Sequence, residues 1–154
     1  MLVLKSLTAR FGRSLIAFGL TMLLGQSVAT RTLSAEDTEG VGSPGGDVVL
    51  YEGNGGSQDI VAVYTDTAGQ ETKVDPNDEA RSSKLMLVRE GATITVFDDP
   101  DGSKEDDYCV IRVKKPSPEY TVNSFERSYE DEYVIVSYVR KNGLDGKVSR
   151  IKIE

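Results

Sequence analysis

Short runs of β-branched and aromatic residues, separated by turn residues, recur along the chain from residue 47 onward. Such runs favour strands, whereas Gly, Asn, Asp and Pro favour the tight turns between them. Apolar and polar positions alternate in 93–97 and 150–153, which predicts one buried face for each strand. Helical periodicity is absent, so the pattern predicts an all-β, antiparallel sandwich or barrel. The predicted strands are 48–51, 60–64, 85–88, 93–97, 108–113, 133–139 and 148–153.

The segment 117–132 interrupts this pattern, because it is mostly polar and carries Tyr120, Phe125 and Tyr129. We expect a loop or a short helical turn on the surface. Its aromatic side chains either form a contact surface for a partner or cover an open end of the core.

The chain begins with the layout of a secretory signal peptide. Basic residues precede an apolar run at 15–25, and small residues follow at Ser27 and Ala29. The run is short for a membrane span, although an uncleaved anchor is the alternative. We therefore predict a signal peptide over 1–29, secretion or export to the periplasm, and a flexible linker over 30–46.

An internal repeat relates two parts of the strand region at an offset of 46 residues. Val49-Leu-Tyr-Glu52 aligns with Thr95-Val-Phe-Asp98, and Gly56-Ser57 aligns with Gly102-Ser103. Each unit then closes with a Ser followed by alternating apolar residues, at 83–87 and 149–153. This self-similarity predicts two four-stranded motifs, 47–91 and 92–154, that form one domain over 47–154.

These repeats resemble the Greek-key motifs of the βγ-crystallin superfamily. The aromatic-acid opening and the following Gly-Ser carry this likeness. The stretch 78–83 also resembles the calcium-binding segment of the family, with Glu79 in place of Asn or Asp, and 144–149 is a degraded copy. The resemblance implies a Greek-key β-sandwich built from two four-stranded motifs.

The same resemblance implies two calcium sites of unequal quality. Ser82 would supply a hydroxyl, and Glu52 and Asp98 would supply backbone carbonyls. Asp145 would complete the better site from the second motif, and Glu79 the weaker one from the first. The expected metal ligands are Glu52, Asp78, Glu79, Ser82, Asp98 and Asp145.

Composition removes several classes of function. The chain has no His and one Cys, which excludes His-dependent triads, an intrachain disulfide and a Cys-rich zinc site. Cys109 lies in a strand-like run, so burial is expected. Residues 36–154 hold 14 basic and 25 acidic side chains, a net charge of −11, which argues against a nucleic-acid partner.

Two further metal or catalytic interpretations of the acidic side chains are weaker. The segment 98–107 lacks EF-hand spacing, because Phe97 and Tyr108 would fall at ligand positions, so an acidic hairpin turn is expected. A carboxylate-based hydrolase is the other one, but the acids cluster in turns rather than across a cleft.

The sequence therefore predicts a secreted βγ-crystallin-like module that is not an enzyme. It would bind calcium weakly, have a structural or stress-related role, and contact no membrane after signal cleavage. The alternative is a metal-free, secreted interaction or inhibitor module that binds an extracellular protein through the 116–132 insertion.

Overall fold

The computed structural model describes residues 45–154, which form ten strands and no helix. All strand pairs are antiparallel and belong to two sheets, so the predicted all-β, antiparallel sandwich is confirmed. The signal peptide and most of the linker lie outside the described residues and stay predictions. The strands are β1 Asp47–Gly53, β2 Ser57–Thr65, β3 Gln70–Lys73, β4 Ser82–Met86, β5 Thr93–Phe97, β6 Tyr108–Val113, β7 Tyr120–Val122, β8 Tyr129–Glu130, β9 Val134–Val139 and β10 Arg150–Ile153.

The two repeats are interlocked through their third strands. One sheet has the order β2-β1-β4-β7 and the other β3-β10-β5-β6-β9-β8. The repeat relates β1, β2 and β4 to β5, β6 and β10. Each repeat therefore sends one strand, β3 or β7, to the edge of the sheet that the other repeat builds. Neither repeat completes a sheet by itself.

The prediction for 117–132 was wrong in part, because β7 and β8 lie within this segment. The sequence also gave no signal for β3. All three strands lie at sheet edges and pair on one side only. Edge strands are short and tolerate polar residues, because one side of the strand meets water. Hydrophobic pattern therefore found every internal strand and missed these three edges.

The core lies between the sheets and confirms the predicted inward faces of β5 and β10, the first and last strands of the second repeat. Ile151 and Ile153 of β10 are fully buried, as are Ile94 and Val96 of β5. β5 departs from simple alternation, because Thr95 and Phe97 are also buried. Cys109 is buried, as expected. Burial raises the pKa of its thiol to about 12.

The insertion contributes directly to this core. The Phe125 side chain is 1% exposed, and Tyr120 and Tyr129 pack against the buried cluster. The Tyr120 ring centroid lies 5.6 Å from that of Tyr133, and its hydroxyl donates a hydrogen bond to Asp131. The aromatic side chains therefore cover the core, which was one of the two expectations for this segment.

The strand register corrects the predicted alignment of the two repeats at their ends. Tyr51 pairs with Ser82, whereas its counterpart Phe97 pairs with Arg150. Ser83 is therefore not equivalent to Ser149, and the alignment shifts by two residues. The inward-facing Leu85 and Ile153 coincide in the corrected alignment.

Candidate metal centre

The first expected calcium position holds an arginine side chain. Arg81 Nη1 donates hydrogen bonds to the backbone oxygens of Glu52, at 2.8 Å, and Glu79, at 3.0 Å. Its Nε lies 3.0 Å from Asp145 Oδ1. The Glu52 carbonyl and the Asp145 carboxylate do converge, as the resemblance implied. They converge on a guanidinium, which already supplies positive charge and hydrogen-bond donors there.

Ser82 faces a different set of atoms from the one expected. Its buried hydroxyl donates to Gly53 O and accepts a 2.9 Å hydrogen bond from Gly56 N. Ser82 thus fastens the β1–β2 hairpin to β4. Its oxygen has both bonding directions occupied by the backbone.

Strand pairing explains why Arg81 and Ser149 occupy matching places. Arg81 N donates to Tyr51 O, and Ser149 N donates to Phe97 O, both at 2.9 Å. Each residue directly precedes the final strand of its repeat. The two side chains therefore project into related positions, a guanidinium in one repeat and a hydroxyl in the other.

In the second repeat, oxygen atoms lie close together around Ser149, the residue that matches Arg81. Ser149 Oγ lies 3.2 Å from Asp78 Oδ1 and 3.5 Å from Lys147 O. In the corrected alignment Lys147 corresponds to Glu79 and Asp98 corresponds to Glu52, the two residues whose carbonyls Arg81 contacts. An open cavity of about 430 Å³, with Asn77, Pro100 and Ser149 in its wall, adjoins this position.

A cluster of three carboxylates lies in the connection between β5 and β6. One oxygen from each of Asp98, Asp106 and Asp107 lies within 4.8 Å of the others. Burial raises the pKa of Asp98. The negative charges of Asp106, Asp107 and Asp78 also raise this pKa, whereas the positive charge of Lys147 lowers it. These carboxylates therefore repel one another, and a cation among them would relieve that repulsion.

Asp107 is already satisfied by hydrogen bonds. Its buried carboxylate accepts from the backbone N–H groups of Lys141, Asn142 and Gly143 and from the Tyr138 hydroxyl. Burial acts to raise the pKa of Asp107, but these hydrogen bonds outweigh it and hold the pKa far below its usual range. Asp107 is thus an anchor for the loop 140–146.

Four of the six expected ligands are divided between two places, whereas Ser82 binds the β1–β2 hairpin and Asp98 lies in the carboxylate cluster. Glu52 and Asp145 meet at Arg81, together with the carbonyl of Glu79 rather than its carboxylate. Asp78 meets Ser149. Sequence reasoning missed Arg81 as the occupant and Ser149 as a hydroxyl donor, because the repeats were aligned on Ser83 and Ser149. Alignment on the inward Leu85 and Ile153 would have set Arg81 opposite Ser149.

The acidic segment 98–107 forms the β5–β6 hairpin connection. Asp99 Oδ1 accepts the N–H groups of Asp101 and Ser103, as in a side-chain-capped turn. These hydrogen bonds lower the pKa of Asp99. The segment is therefore a hairpin turn, as expected.

A scan of protein-family models, a search of curated proteins and a search of solved structures each gave no match to this chain. Within residues 45–154, no helix is long and apolar enough to cross a membrane.

Proposed function

We propose that this chain is a secreted βγ-crystallin-like module that binds one calcium ion through its second repeat and has a structural or stress-related role. The ligands would be the Asp78 carboxylate, the Ser149 hydroxyl and the backbone carbonyls of Lys147 and Asp98. Hydroxyl, carboxylate and carbonyl oxygens suit calcium, a hard cation with about six to eight oxygen ligands. Water would complete the shell.

One observation carries this proposal. In the second repeat, Asp78 Oδ1 and Lys147 O lie near Ser149 Oγ. In the first repeat, Asp145 Oδ1 and Glu79 O contact the Arg81 guanidinium through Nε and Nη1. The first group already contains a positive charge, whereas the second consists of oxygen atoms. A calcium ion in the second repeat would supply the positive charge that the guanidinium supplies in the first.

The interlocked strand order supports the Greek-key assignment on which the proposal rests. The first repeat supplies three strands to its own sheet and the second supplies five, and each sends one strand to the other sheet. The strand exchange brings 70–78 of the first repeat beside β10, where Asp78 approaches Ser149. A calcium ion there would join the two repeats and stabilise their association.

Thermal unfolding in EDTA and in about 5 mM calcium, with magnesium as control, tests the proposal. If the dissociation constant is about 0.1 mM, this is about 50-fold excess and contributes about 2.3 kcal/mol. The unfolding midpoint should then rise by about 10 °C. Calorimetric titration should give one calcium ion per chain.

Variants locate the site. Asp78→Ala and Ser149→Ala should abolish the calcium-dependent rise, whereas Asp145→Ala, at the arginine-filled position, should retain it. If the native chain shows no rise, calcium binding is wrong and the metal-free module remains. If Asp145→Ala loses the rise and Asp78→Ala keeps it, the ion binds in the first repeat.

A further inference from the structure

The turn formed by residues 144–147 carries a proposed ligand at its end. Lys147 N donates a 3.1 Å hydrogen bond to Leu144 O, which closes the turn, and Gly146 has a left-handed φ of 63°. Leu144 is fully buried and fixes the start of the turn. The direction of the Lys147 carbonyl therefore depends on how the turn is held at Leu144.

A side chain from the insertion holds this start. Glu126 Oε1 accepts hydrogen bonds from Leu144 N at 2.7 Å and from Asp145 N at 3.2 Å. The Tyr138 hydroxyl, which donates its proton to Asp107, lies 3.3 Å away. One carboxylate oxygen thus takes two successive N–H groups of the turn. Bonds to an ionised acceptor are stronger than neutral ones.

The insertion presents Glu126 from a fixed backbone. The preceding residue, Phe125, is buried in the core, and its N–H donates to Arg81 O at 3.1 Å. Glu126 therefore projects from a point that is tied to both the core and the first repeat. The two hydrogen bonds at one oxygen limit the mobility of the Glu126 side chain.

The first repeat has no matching arrangement among the described residues. Its equivalent segment, 76–79, begins with Pro76, which lacks an N–H group, and Asp78 N donates to Val148 O at 3.2 Å. Among the described residues, a carboxylate therefore holds this turn only in the second repeat, which also contains the proposed ligand, the Lys147 carbonyl.

We propose that Glu126 is a positioning residue for the calcium site, which rests on the function proposed above. It holds the turn 144–147 so that the Lys147 carbonyl faces the Ser149 hydroxyl before calcium arrives. Hydrogen bonds that orient metal ligands are worth about 10–100-fold in metal affinity. Glu126 is largely exposed, so its effect belongs at the lower end, about tenfold.

Calcium titration of protein expressed from the full-length chain tests this role with three variants. Glu126→Ala removes the acceptor, whereas Glu126→Gln removes the charge and keeps an acceptor oxygen. Glu130→Ala is the matched control, because Glu130 is an exposed acid of the same insertion whose carboxylate pairs with Lys114 instead. Amide exchange of Leu144 and Asp145 in calcium-free protein reports on the turn itself.

We expect Glu126→Ala to weaken calcium binding about tenfold and to accelerate exchange at Leu144 and Asp145. Glu126→Gln should stay within about twofold of the native affinity, and Glu130→Ala should match the native chain. Equal loss in the Gln and Ala variants would mean that charge matters rather than position, and would overturn the inference. An unchanged affinity in Glu126→Ala would overturn it while the proposed function stands. No binding by the native chain would overturn both.

Discussion

Arg81 of the first repeat and Asp145 of the second form an ion pair, with Nε and Oδ1 3.0 Å apart. The same guanidinium bonds two backbone carbonyls of its own repeat, those of Glu52 and Glu79. A single side chain thus joins three oxygen atoms from both repeats. The side chains are 33% and 57% exposed, so the ion pair itself contributes only up to about 1 kcal/mol.

Arg81→Ser should therefore convert the first repeat into a second cation site. The smaller hydroxyl would leave the Glu52 and Glu79 carbonyls and the Asp145 carboxylate around a space, as Ser149 does in the other repeat. Calorimetric titration should give two calcium ions per chain in place of one. Stability in EDTA should fall by about 1–2 kcal/mol, because the hydrogen bonds to both carbonyls are lost.

Arg112→Ser is the control for the removed charge. Arg112 is exposed on β6 and pairs with Thr93, at the end of β5 opposite Phe97 and Asp98. The Arg112→Ser variant should bind the same number of calcium ions per chain as the native protein. A value of one for Arg81→Ser would show that these three oxygens do not suffice for a site.

Alanine substitution of the two adjacent serines of β4 should have different effects on stability. Ser82 has two hydrogen bonds to the β1–β2 hairpin, so Ser82→Ala should cost about 1–2 kcal/mol. The buried hydroxyl of Ser83 has no hydrogen-bond partner among the described residues. Ser83→Ala should be neutral or stabilise by up to about 1 kcal/mol, because an unsatisfied polar atom is removed. Urea unfolding at pH 7 measures both; a larger loss for Ser83→Ala would contradict the assignment.

Because of Asp107, the free energy of unfolding should decrease as the pH falls into the acidic range. Its folded-state pKa lies far below its unfolded value of about 3.9, so its contribution is complete above that value and is lost as the pH falls below it. Asp107→Asn should cost about 2 kcal/mol or more at pH 7, because buried N–H groups lose a charged acceptor.

Urea unfolding at pH 7 and at about pH 3 checks this prediction, with Asp101→Asn as control. Asp101 belongs to the same hairpin but is exposed. Asp107→Asn should lose less stability between the two pH values than the native chain does. Identical acid dependence in both proteins would rule out Asp107 as the source.

Phe125→Ala should show that the insertion is part of the core. Removal of a fully buried aromatic side chain costs about 3–5 kcal/mol. Arg127→Ala, two residues along and exposed, should change stability by less than about 0.5 kcal/mol. Chemical unfolding of the two variants gives the comparison, and a loss below about 1 kcal/mol for Phe125→Ala would contradict the packing.

This packing also affects how the interaction alternative is tested. Deletion of 117–131 would remove Phe125 and β7 together, so loss of partner capture would not separate binding from unfolding. Substitutions at exposed positions such as Arg127 avoid this problem. The alternative itself stays a prediction.

The sequence by itself determined the fold class and every internal strand, because these strands bury apolar side chains at a local, readable period. It also determined the repeat of β1 and β5, including Tyr51 with Phe97. It did not determine the edge strands β3, β7 and β8, since polar residues satisfy the demands of a sheet edge.

Only the tertiary structure decided which side chains meet. Strand exchange carries Asp78 to Ser149, and strand register sets Arg81, rather than Ser82, toward Glu52 and Asp145. A two-residue difference in alignment is enough to move the candidate calcium site from one repeat to the other. Register depends on pairing between residues distant in sequence, so local patterns leave it open, and packing of Leu85 and Ile153 into the core fixes it.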